Sequence, residues 1–205
     1  CKPIIVGDSS VIEKAKEYTG LNDLKINSIS KVSDALFEYG TIDVYDMNLV
    51  NVNGLELGKV SSAAGNAAFQ YVKKVIELAT NNEIDATVTN ALNKEAINIA
   101  GHHFSGHTEI YAHYTDTKKY TMMLAHENLR VVHVSTHVSL REACDRCKKE
   151  RVYEVIKIAD EACKKLGIEN PKIGVAGLNP HCGENGLFGT EEIDEIIPAI
   201  EKAQK

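Results

Sequence analysis

Short apolar segments alternate with helix-like segments along this chain, and that alternation limits the fold more than any other feature. Buried strands are predicted for four apolar runs: "KPIIVGD" (residues 2–8), "IDVYDM" (42–47), "IDATVTN" (84–90) and "PKIGVAGLN" (171–179). Strands that alternate with helices pair in parallel, because each connection crosses back over the sheet. The sequence therefore predicts an α/β protein with a mostly parallel sheet flanked by helices.

The segments between these strands carry apolar residues at helical spacing. Helices are predicted over residues 9–20, 62–81, 92–100, 139–167 and 190–204, the first capped by a serine and ended by Gly20. Residues 119–136 instead predict two strands joined by a short turn at "HENL". The longest irregular segment, Gly101 to Lys118, carries four histidines. Long loops at strand ends are where α/β proteins place their sites.

Composition narrows the class of partner. The chain has a net charge of -6 and a pI near 5.8, which argues against nucleic-acid binding. No apolar run is long enough to predict a membrane-spanning helix. The five cysteines are an odd number and favour a reducing, cytoplasmic compartment. Cys144 and Cys147 form a lone CxxC, interpreted as helical neighbours because no second pair accompanies them. A small-molecule partner is the expectation.

Two of the eight histidines follow predicted strands. His137 lies in "VVHVSTHVSL" and His181 in "VAGLNPHCGE", each just past an apolar run. Side chains at the carboxyl ends of parallel strands converge in a crevice, where neutral imidazoles suit zinc or cobalt. A hydrogen-bonded loop histidine is the alternative at each position. Two ligands are also fewer than the roughly three of a catalytic zinc site.

The densest motif, "GLNPHCGENGLFGTEEID" (residues 177–194), leaves two interpretations open. A glycine-rich loop before a helix can bind a phosphate on its backbone N–H groups, or it can be a tight connection. No GxGxxG occurs in the chain, so the ordinary dinucleotide fingerprint is absent. Lys94, after "IDATVTN", is either a ligand of a phosphate or carboxylate, an acid/base, or an exposed lysine in a first helical turn.

Three segments together resemble the 4-hydroxythreonine-4-phosphate dehydrogenase family of vitamin B6 biosynthesis. They are residues 85–112, 122–143 and 175–200, with "SGHTE" and "GLNPHCGENGLFGTEEID" the most specific. A sister group, the dehydrogenases of 4-phospho-D-threonate and 4-phospho-D-erythronate, is similar nearly as well. The resemblance implies a fold like that of isocitrate and isopropylmalate dehydrogenases. It implies two α/β lobes, here placed at residues 1–100 and 101–205, in a homodimer with the active site near the interface.

The resemblance also implies an activity and its residues. Family members oxidise the 3-hydroxyl of a phosphorylated hydroxy acid such as 4-phosphohydroxy-L-threonine, using NAD and a divalent metal (zinc, cobalt or magnesium), and the product loses carbon dioxide. By motif, His107 and Thr108 contact the substrate, His137 and His181 bind the metal, and Lys94 is a catalytic-site residue. Asn179 and Glu184 flank His181 and are candidates to orient its imidazole.

Departures from the family pattern leave competing hypotheses. The family's N-terminal Gly-Asp-Pro segment, its third metal-binding histidine and its NAD- and phosphate-binding residues have no counterpart here. The chain also starts at Cys1, directly before a predicted strand, so we expect a piece of a longer protein. "TNALNKE" replaces a common Thr-x-Pro motif. A metal-dependent hydrolase or lyase, or an inactive fragment, are the alternatives.

Overall fold

The computed structural model describes residues 1–205, and its first element is a parallel sheet. Strands β1 (Ile5–Gly7), β2 (Lys25–Ile29) and β3 (Thr41–Asp46) form it in the order β1-β3-β2, with both pairings parallel. Helix α1 (Ser9–Thr19) connects β1 to β2 and ends at Gly20, whose φ of 71° is left-handed as a helix-ending glycine requires. The α/β class with a parallel sheet is therefore confirmed.

The start of α1 differs from the prediction of a serine cap. Asp8 is the N-cap, and no side chain makes a capping hydrogen bond there. The buried Asp8 carboxylate instead accepts from the backbone N–H of Leu49, at 2.7 Å, and of Val50, at 2.6 Å. Asp8 thus ties the end of β1 to the segment that follows β3.

Three further helices complete the first part of the chain. They are α2 (Ser62–Thr80), α3 (Lys94–Ile99) and α4 (His107–Tyr114). Their apolar faces share one core, built from Phe69, Val72, Ile76, Ile97 and Ile110. Helix α4 lies inside the segment that the sequence predicted to be irregular, because Ile110 is buried in this core and Tyr111 and Tyr114 pack against it.

The predicted strand at residues 84–90 is absent. These residues are irregular, and Val88 is 94% exposed. An apolar run becomes a strand only where a neighbour supplies ladder hydrogen bonds, and no strand pairs with this one. The prediction was therefore wrong in its local structure.

The second part of the chain begins with a hairpin, followed by helices. Strands β4 (Met123–His126) and β5 (Leu129–Val132) pair antiparallel, as predicted. Helices α5 (Leu140–Arg146) and α6 (Lys149–Lys165) follow. A π-helical turn, Glu192–Ile196, leads into α7 (Ile197–Ala203), where Pro198 lies in the first turn.

One apolar cluster holds these elements together. It is formed by Cys147, Val152, Ile196 and Ala199, with Val175 and Leu178 packed against it. Residues 171–179 contribute those two side chains without forming the predicted strand, since they pair with no other strand. Cys144 and Cys147 are both free thiols, and burial raises the pKa of the Cys147 thiol. A raised pKa is the opposite of what a reactive cysteine needs.

The chain divides into two compact units, Cys1–Thr117 and Lys118–Lys205. The sequence predicted two lobes with an approximate boundary near residue 100. The later boundary follows from packing, because Ile110 of α4 belongs to the same core as Phe69 of α2. No helix is long and apolar enough to cross a membrane.

Candidate functional site

In the first unit, the structure brings Lys94 to the start of α4. Lys94 opens α3, which is capped by Asn93: the Asn93 side chain accepts from the Ala96 N–H at 2.9 Å. The Cε atom of Lys94 lies 3.9 Å from the point where a Cβ on Gly106 would stand. Gly106 is the N-cap of α4, so Lys94 lies beside the residue that precedes His107.

His107 and Thr108 are the first two residues of α4, and both are half-buried. The His107 ring and the Lys94 ammonium make no hydrogen bond within the chain, and Glu109 Oε2 lies 3.6 Å from the same Gly106 Cβ position as Lys94 Cε. The first N–H groups of a helix have no partner within it and carry a partial positive charge. An ammonium, an imidazole and a hydroxyl at such a position can bind a carboxylate or phosphate group.

A close contact between helices fixes where Lys94 stands. Gly65 of α2 lies directly against the carbonyl group of Ala96 in α3, and a Cβ at position 65 would overlap that carbonyl oxygen. Only glycine allows the two backbones to approach this closely. Ala96 is two residues from Lys94 in the same helix. The packing of α2 against α3 therefore determines where Lys94 lies.

In the second unit, His137 and His181 both lie on exposed loops. His137 follows β5 and has a φ of 55°, a left-handed conformation that few residues other than glycine adopt. Neither imidazole makes a hydrogen bond, and the Nδ1 atom of His181 is 3.9 Å from the Glu184 carboxylate. Unbonded neutral imidazoles retain the lone pairs that a zinc or cobalt ion would use.

Asn179 shapes the His181 loop through backbone contacts. Its Oδ1 atom accepts from the His181 N–H at 2.9 Å, and its Nδ2 atom donates to the Phe188 carbonyl at 3.2 Å. The rings of His181 and Phe188 lie 4.9 Å apart. Asn179 therefore acts on the backbone of His181, whereas the sequence had suggested that it orients the imidazole.

The glycine-rich stretch is a left-handed turn. Residues 182–186 all have positive φ, including Gly183 at 71° and Gly186 at 94°, and Gly189 has a φ of 115°. Three of these five residues, Cys182, Glu184 and Asn185, are not glycine. Non-glycine residues in this region each cost about 1 to 2 kcal/mol, so the turn is held by its surroundings.

The imidazoles of His137 and His181 are donors of the type that zinc or cobalt binds. No three side chains of His, Cys, Asp or Glu converge in the chain to form a complete site. The two histidines are thus at most part of the set of about three protein ligands that a catalytic zinc ion uses.

Sequence reasoning missed Glu192, which lies beneath the His181 loop. Its carboxylate is buried and accepts from the Leu178 N–H at 2.8 Å. The acidic run "TEEID" is typical of an exposed helix start. Its polar composition therefore indicated, wrongly, that Glu192 would be exposed. Glu192 lies four residues before the buried Ile196, and side chains four residues apart lie on the same face of a helix. That spacing is the sequence pattern that indicates an inward-facing Glu192 side chain.

Comparison with known proteins places the chain in a family. The model of the family described as "Pyridoxal phosphate biosynthetic protein PdxA" matches residues 1–205. The chain belongs to the PdxA family. The resemblance found in the sequence is thereby confirmed over the whole chain.

Individual PdxA relatives carry two different names. A protein of Clostridium botulinum (strain Hall), called "Putative D-threonate 4-phosphate dehydrogenase", is 47% identical over 205 residues, which are 100% of this chain and 61% of that protein. The crystal structure of a 4-hydroxythreonine-4-phosphate dehydrogenase from Burkholderia phymatum superposes with a TM-score of 0.84 at 43% identity, covering 100% of this chain and 62% of that one. The corresponding enzyme from Klebsiella pneumoniae gives 0.87 at 39% identity, covering 98% and 61%.

Proposed function

We propose that the protein containing this chain is a dehydrogenase that oxidises a hydroxyl of a phosphorylated hydroxy acid, using NAD and a divalent metal, with subsequent loss of carbon dioxide. The observation that carries this proposal is the match of the PdxA family model to all 205 residues, together with the dehydrogenase names of its relatives. The chain spans 61% of the length of the Clostridium relative, so the proposal concerns the whole protein.

Of the phosphorylated acids considered, we favour 4-phospho-D-threonate. The relative named for that activity is 47% identical, whereas the Burkholderia and Klebsiella enzymes named for 4-hydroxythreonine-4-phosphate are 43% and 39% identical. 4-Phosphohydroxy-L-threonine is the second candidate. The two substrates share the phosphate and the hydroxyl to be oxidised, and differ in the group and configuration beside that hydroxyl.

The residues of the chain support this chemistry in two places. Lys94, His107 and Thr108 would bind and orient an anionic group of the substrate at the start of α4. His137 and His181 would hold the metal through neutral ring nitrogens. When bound, a divalent metal supplies Lewis acidity that lowers the pKa of a coordinated hydroxyl, and NAD accepts the hydride. Neutral imidazoles leave that Lewis acidity intact, since they add no negative charge.

The proposal is tested with the full-length protein, NAD, a substrate panel and two metal conditions. NADH formation is followed with 4-phospho-D-threonate, 4-phospho-D-erythronate and 4-phosphohydroxy-L-threonine, with added zinc, cobalt or magnesium and after chelation. We expect metal-dependent NADH formation, with 4-phospho-D-threonate giving the highest kcat/KM. Metal-dependent hydrolysis or lysis without any reduction of NAD would contradict the proposal.

Single substitutions test the residue roles. His137→Ala and His181→Ala are each expected to abolish cobalt binding and activity, because either change removes a ligand. His107→Ala and Lys94→Ala are expected to raise KM while leaving cobalt affinity unchanged. His103→Ala, an exposed histidine outside both groups of site residues, is the matched control and should alter neither cobalt affinity nor KM.

We also propose that the protein forms a homodimer. The β4–β5 hairpin supports this, since it exposes Leu124, Leu129 and Val131. Contiguous exposed apolar side chains on a strand pair are typical of a protein interface. Light scattering coupled to size-exclusion chromatography should give twice the monomer mass, and a monomer at micromolar concentration would refute this.

A further inference from the structure

Glu192 is the most buried charged side chain near the proposed metal ligands. It is 7% exposed and begins the π-helical turn Glu192–Ile196. That turn is anchored by Ile196 and Ala199, which belong to the apolar core of the second unit. The carboxylate therefore projects from a part of the molecule that packing holds in place.

One oxygen of Glu192 is hydrogen-bonded to the chain before His181, and the other lies close to the chain after it. Oε1 accepts from the N–H of Leu178, three residues before His181, at 2.8 Å. Oε2 lies 2.8 Å from the point where a Cβ on Gly183, two residues after His181, would stand. Leu178 itself packs on the same core as Ile196. Glu192 thus brackets the histidine with one side chain.

Glycines make this arrangement sterically feasible. A Cβ at position 177 would lie 3.1 Å from Oε1 of Glu192 and 2.6 Å from the Cys182 sulfur. A Cβ at position 183 would meet both Oε2 and, at 2.8 Å, the Gly189 carbonyl oxygen. The loop closes over the carboxylate because neither position carries a side chain. Gly177 and Gly183 are therefore needed for the Glu192 carboxylate to lie at this place.

The contacts indicate that the length of the Glu192 side chain (its reach), and not its charge, is what matters for these interactions. No cation pairs with the carboxylate, and Oε2 has no hydrogen-bond donor. What the side chain provides is an acceptor for Leu178 and a filled space between two glycines. An isosteric amide would supply both, whereas a carboxylate shorter by one methylene could not span the distance.

We propose that Glu192 is a positioning residue for His181: it fixes the backbone on either side of this histidine and so holds the imidazole where a metal would bind. The proposal deepens the proposed function, because it assumes that His181 is a metal ligand. A group that orients a metal ligand typically contributes about 10- to 100-fold in metal affinity. The same magnitude is expected here.

Two substitutions separate reach from charge. Glu192→Asp keeps the charge and loses the reach, whereas Glu192→Gln loses the charge and keeps the reach. Glu201→Asp, an exposed glutamate in α7, is the matched control. Each variant of the full-length protein is examined by hydrogen exchange of the metal-free form over residues 178–189. Cobalt titration is then followed by visible absorption, which reports the coordination geometry.

With Glu192→Asp we expect faster exchange across residues 178–189, a cobalt affinity lower by about tenfold and an altered cobalt spectrum. Glu192→Gln and Glu201→Asp should match the wild type in all three. If Glu192→Asp matches the wild type, or if Glu192→Gln is as impaired as Glu192→Asp, the positioning role is wrong. Should Glu192→Asp fail to fold, Gly183→Ala, which crowds the same contact, takes its place with the same expectations.

Failure of the metal site and failure of the positioning role give different results. If wild-type protein binds no cobalt, or if His181→Ala leaves binding unchanged, the proposed metal site fails. The hydrogen-exchange comparison of the metal-free variants still decides whether Glu192 fixes the loop. If cobalt binds through His181 and the Glu192 variants are all normal, only the positioning role fails.

Discussion

At the scale of single residues, a glycine at position 65 decides how α2 meets α3. Gly65→Ala would place a methyl group against the carbonyl oxygen and carbon of Ala96. Both of these are backbone atoms and cannot rotate away. We expect a loss of about 1–3 kcal/mol in the free energy of unfolding, measured by urea denaturation. In addition, KM should rise, since α3 carries Lys94.

Gly54→Ala is the control for that experiment. Its nearest neighbours to an added Cβ are side-chain atoms of Asn51 at 4.0 Å, and its φ is not positive. The control should leave the free energy of unfolding within about 0.5 kcal/mol of the wild type. Equal stabilities of the two variants would show that α2 and α3 are not in close contact.

His102 makes the stability of the first unit sensitive to pH. Its ring stacks on Phe69 with centroids 3.8 Å apart, and its Nε2 atom lies 2.9 Å from Asn66 Oδ1. Burial, followed by the nearby charges of His103 and Lys73, lowers the pKa of His102 below 6.5 in the folded protein. The unfolded chain therefore binds a proton more readily than the folded one.

The sign of the effect follows from that difference. Above pH 6.5 the stacked neutral ring contributes its full stability, and the free energy of unfolding falls as the pH drops below 6.5 toward the folded pKa. His102→Gln removes the titrating group, so the fall between neutral pH and pH about 5 should be smaller. Urea denaturation across this range measures it.

The pKa of Asp43 is lowered from 3.8, chiefly by the Asn27 amide, so its contribution is lost only in stronger acid.

At the scale of elements, the α3 cap links local structure to the site. Asn93→Ala removes the acceptor for the Ala96 N–H, and such a loss costs about 1 kcal/mol. Because Lys94 is the next residue, we expect a fraying first turn to raise KM as well as to lower the free energy of unfolding. Asn93→Ser restores a capping oxygen and should recover both; failure of serine to rescue would argue against a capping role.

Periodicity predicted those elements that bury an apolar face against a partner. The long helix α2 and the β4–β5 hairpin match the predictions because their patterns are self-sufficient. Residues 84–90 and 171–179 show the same apolar character but lack a paired strand. Conversely, β2 was missed because its "KINSI" sequence is polar, and its place in the sheet comes from pairing with β3. Long-range pairing is the information that a local pattern does not contain.

The candidate site shows the same division. Histidines after apolar runs drew attention to His137 and His181 from the sequence, and the motif resemblance added His107, Thr108 and a role for Lys94. That Lys94 lies beside Gly106 depends on α2 and α3 packing, which no spacing reveals. The burial of Glu192 depends on a loop of left-handed residues that folds over it.

At the scale of the whole molecule, the boundary between the two units determines where a protease should cut first. The division lies between Thr117 and Lys118, and residues 115–120 are all exposed. Exposed segments between compact units are preferred sites of proteolytic nicking. Lys118 and Lys119 make this segment a substrate for trypsin, and no lysine or arginine occurs between Lys94 and Lys118.

Limited trypsin digestion of the native protein therefore distinguishes the two placements of the boundary. We expect the first cut after Lys118 or Lys119, giving a stable fragment that begins at residue 119 or 120 by N-terminal sequencing. A boundary near residue 100 would instead favour a first cut at Lys94. The double variant Lys118→Gln, Lys119→Gln should slow the first cut markedly. It should leave the free energy of unfolding unchanged, because Lys118 makes no ion pair and the Lys119–Glu154 pair, at 3.5 Å, is exposed on the lysine side. Unchanged digestion of that variant would place the accessible segment elsewhere in the chain.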